Sequence, residues 1–301
     1  MYTSRREFVK NSTLAVAGAA LFSKNLFAME KTKTITGLQL YSVRDEMKAN
    51  ALDTLKKLAD MGYRYVEHAN YVDRKFYGYS AKDFKKVLDD LGLKMKSGHT
   101  VMGANAWDES KNEFTAAWKY TVEDAAVAGQ EFVISPSLED NYRKDINALK
   151  RFLVVFNKSG ELCKQSGMKF GYHNHDFEFN TTLDGMLLYD IILKETDPNL
   201  VFQQMDMGNM YNAGGKALEL IKKYSGRYAS LHVKDEIKNA AGDHYESTIL
   251  GTGVIPVKEV VDFAKESGTV SHFIIEQESY QGKTPLDCVK EDLQIMKKWG
   301  Y

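Results

Sequence analysis

Short apolar segments alternate with longer amphipathic segments along the chain from residue 34 onward. The short segments are rich in branched and aromatic side chains, a composition typical of buried strands. This pattern predicts eight strands, at 35–41, 63–68, 93–99, 131–135, 168–173, 200–206, 228–234 and 270–276.

The segments between the predicted strands have a helical period. For example, Phe84, Val87, Leu88 and Leu91 recur at intervals of three and four residues, so they would form one apolar face of a helix. Glycines such as Gly62 stand where a helix would end before the next strand. We therefore predict a helix after each strand.

Eight strand-helix units predict an α/β fold, a single (β/α)8 TIM barrel that spans residues 33–301. The four prolines and the lack of a Ser- or Gly-rich linker argue against a second domain. A doubly wound open sheet is the structural alternative, but it would normally carry a glycine-rich loop after its first strand. Residues 40–46 read LYSVRDE instead, so no nucleotide-binding loop is indicated.

Residues 1–28 are predicted to be an export signal of the twin-arginine type. Arg5 and Arg6 precede an apolar run at 14–22 that is too short to span a bilayer as a stable helix. The alternative is a chance amphipathic N-terminal helix. The signal predicts an exported, periplasmic protein without a membrane anchor.

Composition restricts the partners. The net charge is -1 with interleaved signs, so neither nucleic acid nor an anionic membrane surface is indicated. Cys163 and Cys288 are the only cysteines, and a barrel would place them on opposite flanks, so we predict two free thiols. The expected partner is a small molecule, with a homo-oligomer possible.

Charged and imidazole side chains collect at the predicted carboxyl ends of the strands, where a barrel enzyme carries its active site. The densest group follows the fifth strand, with His173, His175, Asp176 and Glu178 inside one short segment. Further candidates end other strands: Glu67, His68, His99, Asp206, His232, Lys234 and Glu276. Salt-bridged residues that merely line the barrel are the alternative interpretation.

Alternation along each strand supports this selection. In the seventh strand Leu231 and Val233 share one face, which leaves His232 and Lys234 to point into the barrel. Carboxylates combined with imidazoles suit a divalent cation such as Mn²⁺, Mg²⁺, Co²⁺ or Zn²⁺. Both cysteines fall in helical patterns, so thiolate ligation is not expected.

The motifs GLQLYSVRDEM, YHNHDFEF, QMDMGN, LHVKD and IIEQE at strands one, five, six, seven and eight resemble the sugar phosphate isomerase/epimerase family of xylose isomerase-like barrels. The resemblance implies a metal held by Glu, Asp, His and Glu from strands five to eight. Asp206, His232 and Glu276 match these positions. Many relatives carry Glu where this chain has His173, so either Glu178 reaches back or His173 replaces the carboxylate, and Glu178 is the favoured ligand.

Roles in catalysis and substrate binding also follow from the resemblance. His175 or His173 would be the base, while Lys234 and His99 would bind hydroxyls or an oxyanion. Glu178 and Glu276 are the other catalytic candidates. Each of these side chains could instead hold a ligand in place. The remaining substrate-binding candidates are Glu67, Tyr41 and Asn209.

The predicted reaction is isomerisation or epimerisation of a non-phosphorylated sugar or keto-sugar through an enediolate, with the divalent metal as cofactor. Elimination from a keto-sugar of the 3-keto-glycoside or inosose type, by a lyase or hydratase, uses the same intermediate and is the first alternative. A non-catalytic exported sugar-binding protein is the second. A nuclease of the related endonuclease barrels is disfavoured by the charge balance and by the small number of histidines, seven in all.

Overall fold

The computed structural model describes residues 34–242 and 244–301. The predicted export segment 1–28 lies outside these residues. Eight parallel strands form a closed barrel in which neighbours in sequence are neighbours in space, in the order β1-β8-β7-β6-β5-β4-β3-β2. The barrel strands are β1 Ile35–Gln39, β2 Tyr65–His68, β3 Lys94–His99, β4 Phe132–Ser135, β5 Lys169–His173, β6 Val201–Asp206, β7 Tyr228–Val233 and β8 His272–Ile275.

The predicted (β/α)8 barrel is confirmed, and every barrel strand lies within its predicted range. The first strand ends two residues earlier than predicted, because the chain leaves the sheet after Gln39 and forms a 3-10 turn at Leu40–Val43. The Gln39 side chain accepts a hydrogen bond from the Tyr41 backbone N–H and caps this turn. Tyr41 therefore stands above the strand end rather than in the sheet.

Helices connect the strands on the outside of the barrel. Several begin at a side-chain cap, as where the Ser80 hydroxyl accepts from the Asp83 N–H and the Asp145 carboxylate accepts from the N–H groups of Asn147 and Ala148. The helices are α1 Arg44–Met61, α2 Ala81–Asp90, α3 Ala116–Ala128, α4 Ile146–Gln165, α5 Phe177–Asn180, α6 Leu188–Glu195, α7 Met207–Asn212, α8 Ala217–Lys223, α9 Val257–Glu266 and α10 Pro285–Trp299. Gly62 ends α1 with a φ of 105°, a conformation that side chains rarely adopt.

The strands bury one face against the helices and the other inside the barrel. On β5, Phe170 and Tyr172 pack in the outer hydrophobic layer together with residues of α4. The alternate residue Gly171 faces inward, where a Cβ atom would lie 2.4 Å from the Phe202 ring. Inside the barrel, Phe132, Ile134, Phe202 and Ala229 form an apolar cluster. The buried His272 ring packs against this cluster, with its centroid 4.2 Å from that of Phe132.

Cys163 on α4 and Cys288 on α10 are free and buried, as predicted. Burial raises the pKa of the Cys163 thiol to about 12, so this thiol stays protonated. In the described part of the chain, no helix has both the length and the apolar composition that crossing a bilayer requires.

Candidate active site

A fully buried carboxylate, Glu67 at the end of β2, organises the barrel interior below the mouth. Its Oε1 accepts from Gln39 Nε2 at 2.8 Å and lies 2.6 Å from His232 Nε2. Its Oε2 accepts from Gln204 Nε2 at 3.0 Å and from the Ser97 hydroxyl. Burial alone would raise the pKa of Glu67, but the nearby imidazoles and these donors lower it to about 2. The Glu67 carboxylate is therefore ionised at neutral pH.

Glu67 is consequently placed below the cavity and does not reach the surface where a substrate would bind. It is 0% exposed, and both of its oxygens are used by neighbouring side chains. Glu67 was predicted to bind substrate, and this buried position keeps it away from the cavity. The structure instead makes it a support for His232 and, at 3.2 Å from Nε2, for His99.

Three imidazoles lie directly above Glu67. The ring centroids of His173 and His232 are 4.6 Å apart, and His99 lies 4.7 Å from His173 and 5.0 Å from His232. Gln204 Oε1 lies 2.6 Å from His99 Nε2 and 3.1 Å from His173 Nδ1. Gln204 therefore fixes two of the rings from the floor of the site.

Asp206, His232 and Glu276 form a buried group whose ligand-type atoms all lie within 4.8 Å of one another. His232 Nδ1 is 3.1 Å from Glu276 Oε2 and 3.8 Å from Asp206 Oδ2. Asp206 Oδ1 accepts from the Asn209 N–H at 2.7 Å, whereas Oδ2 is buried without a hydrogen-bond partner among the described residues. Two carboxylates and one imidazole suit a divalent cation, and an unpartnered buried oxygen is a position for one.

The fourth candidate ligand is His173 rather than Glu178. His173 Nε2 lies 3.9 Å from Asp206 Oδ2, and its ring belongs to the triad with His99 and His232. Glu178, in the short helix α5, turns away from this group: Tyr172 donates its hydroxyl to one carboxylate oxygen, and the His175 N–H donates to the other at 2.8 Å. Contrary to the prediction, Glu178 is not placed with Asp206, His232 and Glu276.

The protonation of the imidazoles is set by burial and by the carboxylates. Burial and the neighbouring rings hold the pKa of His173 well below its usual value, so this ring is neutral and able to bind a metal. Burial also disfavours the charged form of His232, but Glu276 and Glu67 raise its pKa to about 10. A metal ligand must be a neutral imidazole, so cation binding at His232 would release a proton.

Lys234 places a buried ammonium beside the carboxylates. Its Nζ lies 3.4 Å from Glu276 Oε2 and 3.7 Å from Asp206 Oδ2, and it also contacts the Glu278 carboxylate. Burial opposes the charge, but these carboxylates raise the pKa of Lys234 well above its usual value. Burial also raises the pKa of the adjacent Glu236 carboxyl, to about 8. Lys234 is therefore a fixed cation at the edge of the site.

A cavity of about 530 Å³ opens above this cluster. Its lining includes the predicted residues Tyr41, His99, His173, His175, Asn209 and Glu276. His175 is mostly buried and stacks on Phe177, and its Nδ1 has no hydrogen-bond partner among the described residues. Burial lowers the pKa of His175 to about 4, so its imidazole is neutral. The cavity can therefore hold a small polar molecule next to a base.

Several residues of the site were not singled out in the sequence as functional. Glu278 follows Glu276 by two residues on the same parity, which is the one signal that could have identified it. Ser97, Gln39 and Ser230 hydrogen-bond to Glu67 or Gln204 from three other strands. Short polar side chains in buried strands give no comparable signal.

Barrel enzymes that can hold a divalent metal have a group of carboxylates and imidazoles at the mouth of an eight-stranded barrel. This chain has the same arrangement. The chain belongs to the xylose isomerase-like TIM barrel family, whose model matches residues 55–299. Among curated proteins, it is similar to inosose dehydratase of Clostridium perfringens, with 29% identity over 136 residues, which cover 43% of this chain and 45% of the relative. The alignment thus spans less than half the length of that relative.

Solved structures agree with the fold. The crystal structure of a sugar phosphate isomerase/epimerase from Parabacteroides distasonis superposes with a TM-score of 0.74 at 25% identity, covering 90% of this chain and 95% of that one. The crystal structure of IOLI protein with a binding zinc atom superposes with a TM-score of 0.67 at 14% identity, covering 88% of this chain and 97% of that one. Relatives of this fold thus include proteins named for isomerisation and for dehydration.

Metal-binding measurements can decide whether His173 or Glu178 is the ligand. We expect His173→Ala to weaken Mn²⁺ binding about 10- to 100-fold, because it removes a ligand next to Asp206. Glu178→Gln should leave the affinity within about threefold, since its carboxylate faces Tyr172. Isothermal titration calorimetry of both variants measures this, and the reverse order of effects would restore Glu178 as the ligand.

Glu178 should instead affect the pH dependence of stability. Burial raises its pKa from 4.5 to about 7 against the opposing hydrogen bonds from Tyr172 and His175. A raised carboxyl pKa adds stability that is complete below about pH 4.5 and is lost as pH rises to about 7, amounting to about 3 kcal/mol. Urea unfolding of wild type and Glu178→Gln from pH 5 to 8 should show a difference that changes with pH, because only the wild type carries this titration. A pH-independent difference would contradict it.

Proposed function

We propose that this protein is a divalent-metal-dependent lyase that acts on a non-phosphorylated keto-sugar or a related cyclic polyol ketone. It removes a proton from the carbon next to the carbonyl and expels a group from the following carbon. The buried Asp206–His232–Glu276 group, with its unpartnered Asp206 oxygen below a cavity, is the observation that carries this proposal.

Different residues of the site would carry out different parts of this reaction. Asp206, His232, Glu276 and His173 would hold the cation, which supplies Lewis-acid polarisation of the carbonyl oxygen and the neighbouring hydroxyl. His175 is the base, because it lines the cavity and its imidazole is neutral. The base and two of the residues that would hold the cation, His173 and Glu276, thus line the same small cavity.

The departing group needs a proton donor away from the base. Lys234 follows β7 and contacts Glu278, which follows β8; these strands are two and three positions around the barrel from β5, the strand that precedes His175. The ammonium of Lys234 donates to oxygen, and Glu278 lines the cavity. This pair would deliver a proton to the oxygen that leaves, which elimination requires and simple epimerisation does not.

The relatives support the same chemistry. The curated relative is named a dehydratase, a lyase that expels water, and this favours elimination. The Parabacteroides structure named a sugar phosphate isomerase/epimerase supports the shared first step, proton removal, and makes isomerisation or epimerisation the second candidate. A phosphorylated substrate is disfavoured because the described residues that line the cavity include neither lysine nor arginine.

Product analysis tests the proposal. Metal-loaded protein is incubated in D₂O with 3-keto-glucosides and inososes, and the products are followed by NMR. Release of the leaving group with formation of an unsaturated ketone is the expected result. Deuterium at the carbon next to the carbonyl with an intact skeleton would assign the isomerase or epimerase reaction. Sugar binding unaffected by chelator, without any product, would show a binding protein and overturn the proposal.

A further inference from the structure

A second cavity of about 410 Å³ lies beside the mouth cavity. The two share Tyr41, Ala69 and Asn70 in their linings, so they meet along a common wall. The polar and aromatic residues of the second cavity are Tyr41, Arg44, Asp45, Lys48, Asn70 and Tyr77. None of the site chemistry described above uses Arg44, Asp45, Lys48 or Tyr77.

The wall of this second cavity is preformed on one side. Arg44 donates to the Tyr280 hydroxyl at 3.0 Å and to the Tyr41 carbonyl at 3.2 Å, and its guanidinium lies 4.7 Å from the centroid of the Tyr41 ring. Tyr280 in turn donates to the Ser42 carbonyl. Tyr77 accepts from the Ala69 N–H at 3.0 Å. The aromatic sides of the cavity are therefore fixed before a ligand arrives.

The chemistry of the lining identifies the kind of ligand. Two tyrosine rings offer apolar faces, and Arg44, Asp45, Lys48 and Asn70 offer both donors and acceptors. Sugar hydroxyls need both, and sugar rings stack on aromatic faces. Asp45 offsets one of the two bases, so the lining lacks the concentrated positive charge that a strongly anionic ligand would need. A neutral hexose ring suits this combination best.

We propose that the second cavity is a subsite for a neutral glycosyl unit, so that the substrate is a keto-disaccharide with its oxidised ring in the mouth cavity. This inference rests on the proposed lyase function. The second ring is then the leaving group. The glycosidic oxygen that joins the two rings lies where the two cavities meet, near Tyr41 and Asn70. The bond that breaks is the one from this oxygen to the oxidised ring.

The step balances without a further reactant. The C–H bond next to the carbonyl breaks and its proton passes to His175, while the electron pair forms a carbon-carbon double bond. The glycosidic C–O bond at the next carbon breaks, and the departing sugar oxygen takes a proton from the Lys234–Glu278 pair. The products are an unsaturated keto-sugar and a free sugar.

Two exposed residues of α1 provide the test. Of the two cavities, Asp45 and Lys48 line the second and not the mouth cavity, so the double variant Asp45→Ala/Lys48→Ala removes polar groups from the second cavity and leaves the mouth cavity intact. The matched control is Lys56→Ala/Asp60→Ala, an exposed acid-base pair farther along the same helix. We expect the first double variant to lower kcat/KM for a 3-keto-disaccharide about 10-fold, the loss of two ligand hydrogen bonds, and to leave the methyl 3-keto-glucoside unchanged.

The outcomes separate this inference from the lyase function. Wild type should prefer the keto-disaccharide, and the control should keep that preference. Equal turnover of both substrates by wild type, or a preference that survives Asp45→Ala/Lys48→Ala, overturns the subsite. A preference for a phenyl over a glycosyl leaving group would assign an aromatic ligand instead. If nothing is turned over, calorimetry with the unoxidised disaccharide and its monosaccharide decides, since tighter disaccharide binding lost only in the first variant supports the subsite.

Discussion

Replacing Asp206 with asparagine is expected to reduce kcat/KM about 10³-fold, the scale of losing a central electrostatic contact in the transition state. Asparagine keeps an oxygen to accept the Asn209 N–H but removes the charge that faces His232, His173 and Lys234. The affinity for Mn²⁺ should fall with the activity. Calorimetric titration and steady-state kinetics on the same preparation measure both quantities.

The fold should survive this change, because asparagine has nearly the same shape as aspartate. Asp190→Asn is the matched control, since Asp190 pairs with Lys223 on the outer helices and lies outside the site. Its activity and metal affinity should equal those of wild type. Full activity of Asp206→Asn, or loss of activity with unchanged metal binding, would contradict a metal site at this carboxylate.

Strand position and side-chain parity could be predicted from the sequence because both depend on local alternation. Leu231 and Val233 pack in the outer layer, and the intervening His232 contacts Glu67 and Glu276 inside the barrel. A residue near a strand end has only two possible faces, and burial of its apolar neighbours decides between them. The inward placement of Asp206, His232, Lys234 and Glu276 is of this kind.

Residues beyond a strand end do not follow that rule, and Glu178 shows why. It lies five residues after His173, in a single helical turn that brings its carboxylate under Tyr172 on the outer face of β5. The periodicity of apolar residues in the sequence does not indicate in which direction a single helical turn points its side chains. For Glu67, the sequence shows that the side chain points into the barrel. How far below the cavity it lies depends on its contacts with Gln204, Gln39 and Ser97 from other strands, which the sequence does not show.

Substitution of Lys234 by methionine is expected to lower kcat about 10²-fold or more while Mn²⁺ still binds. Lys234 lies among Asp206, Glu276 and Glu278, so its removal takes away the proton donor at the edge of the site. It also leaves buried carboxylates without their cation, which should lower the free energy of unfolding by about 3 to 5 kcal/mol. Kinetics and urea denaturation measure the two effects.

Metal should separate these two roles of Lys234. A divalent cation compensates the same carboxylates, so Mn²⁺ should restore much of the lost stability of Lys234→Met but not its kcat. The matched control is Lys238→Met, an exposed lysine on the hairpin strand Asp235–Lys238, which should change neither quantity. If Mn²⁺ restored activity together with stability, Lys234 would serve only to neutralise the carboxylates, and the proton for the leaving oxygen would have to come from another group.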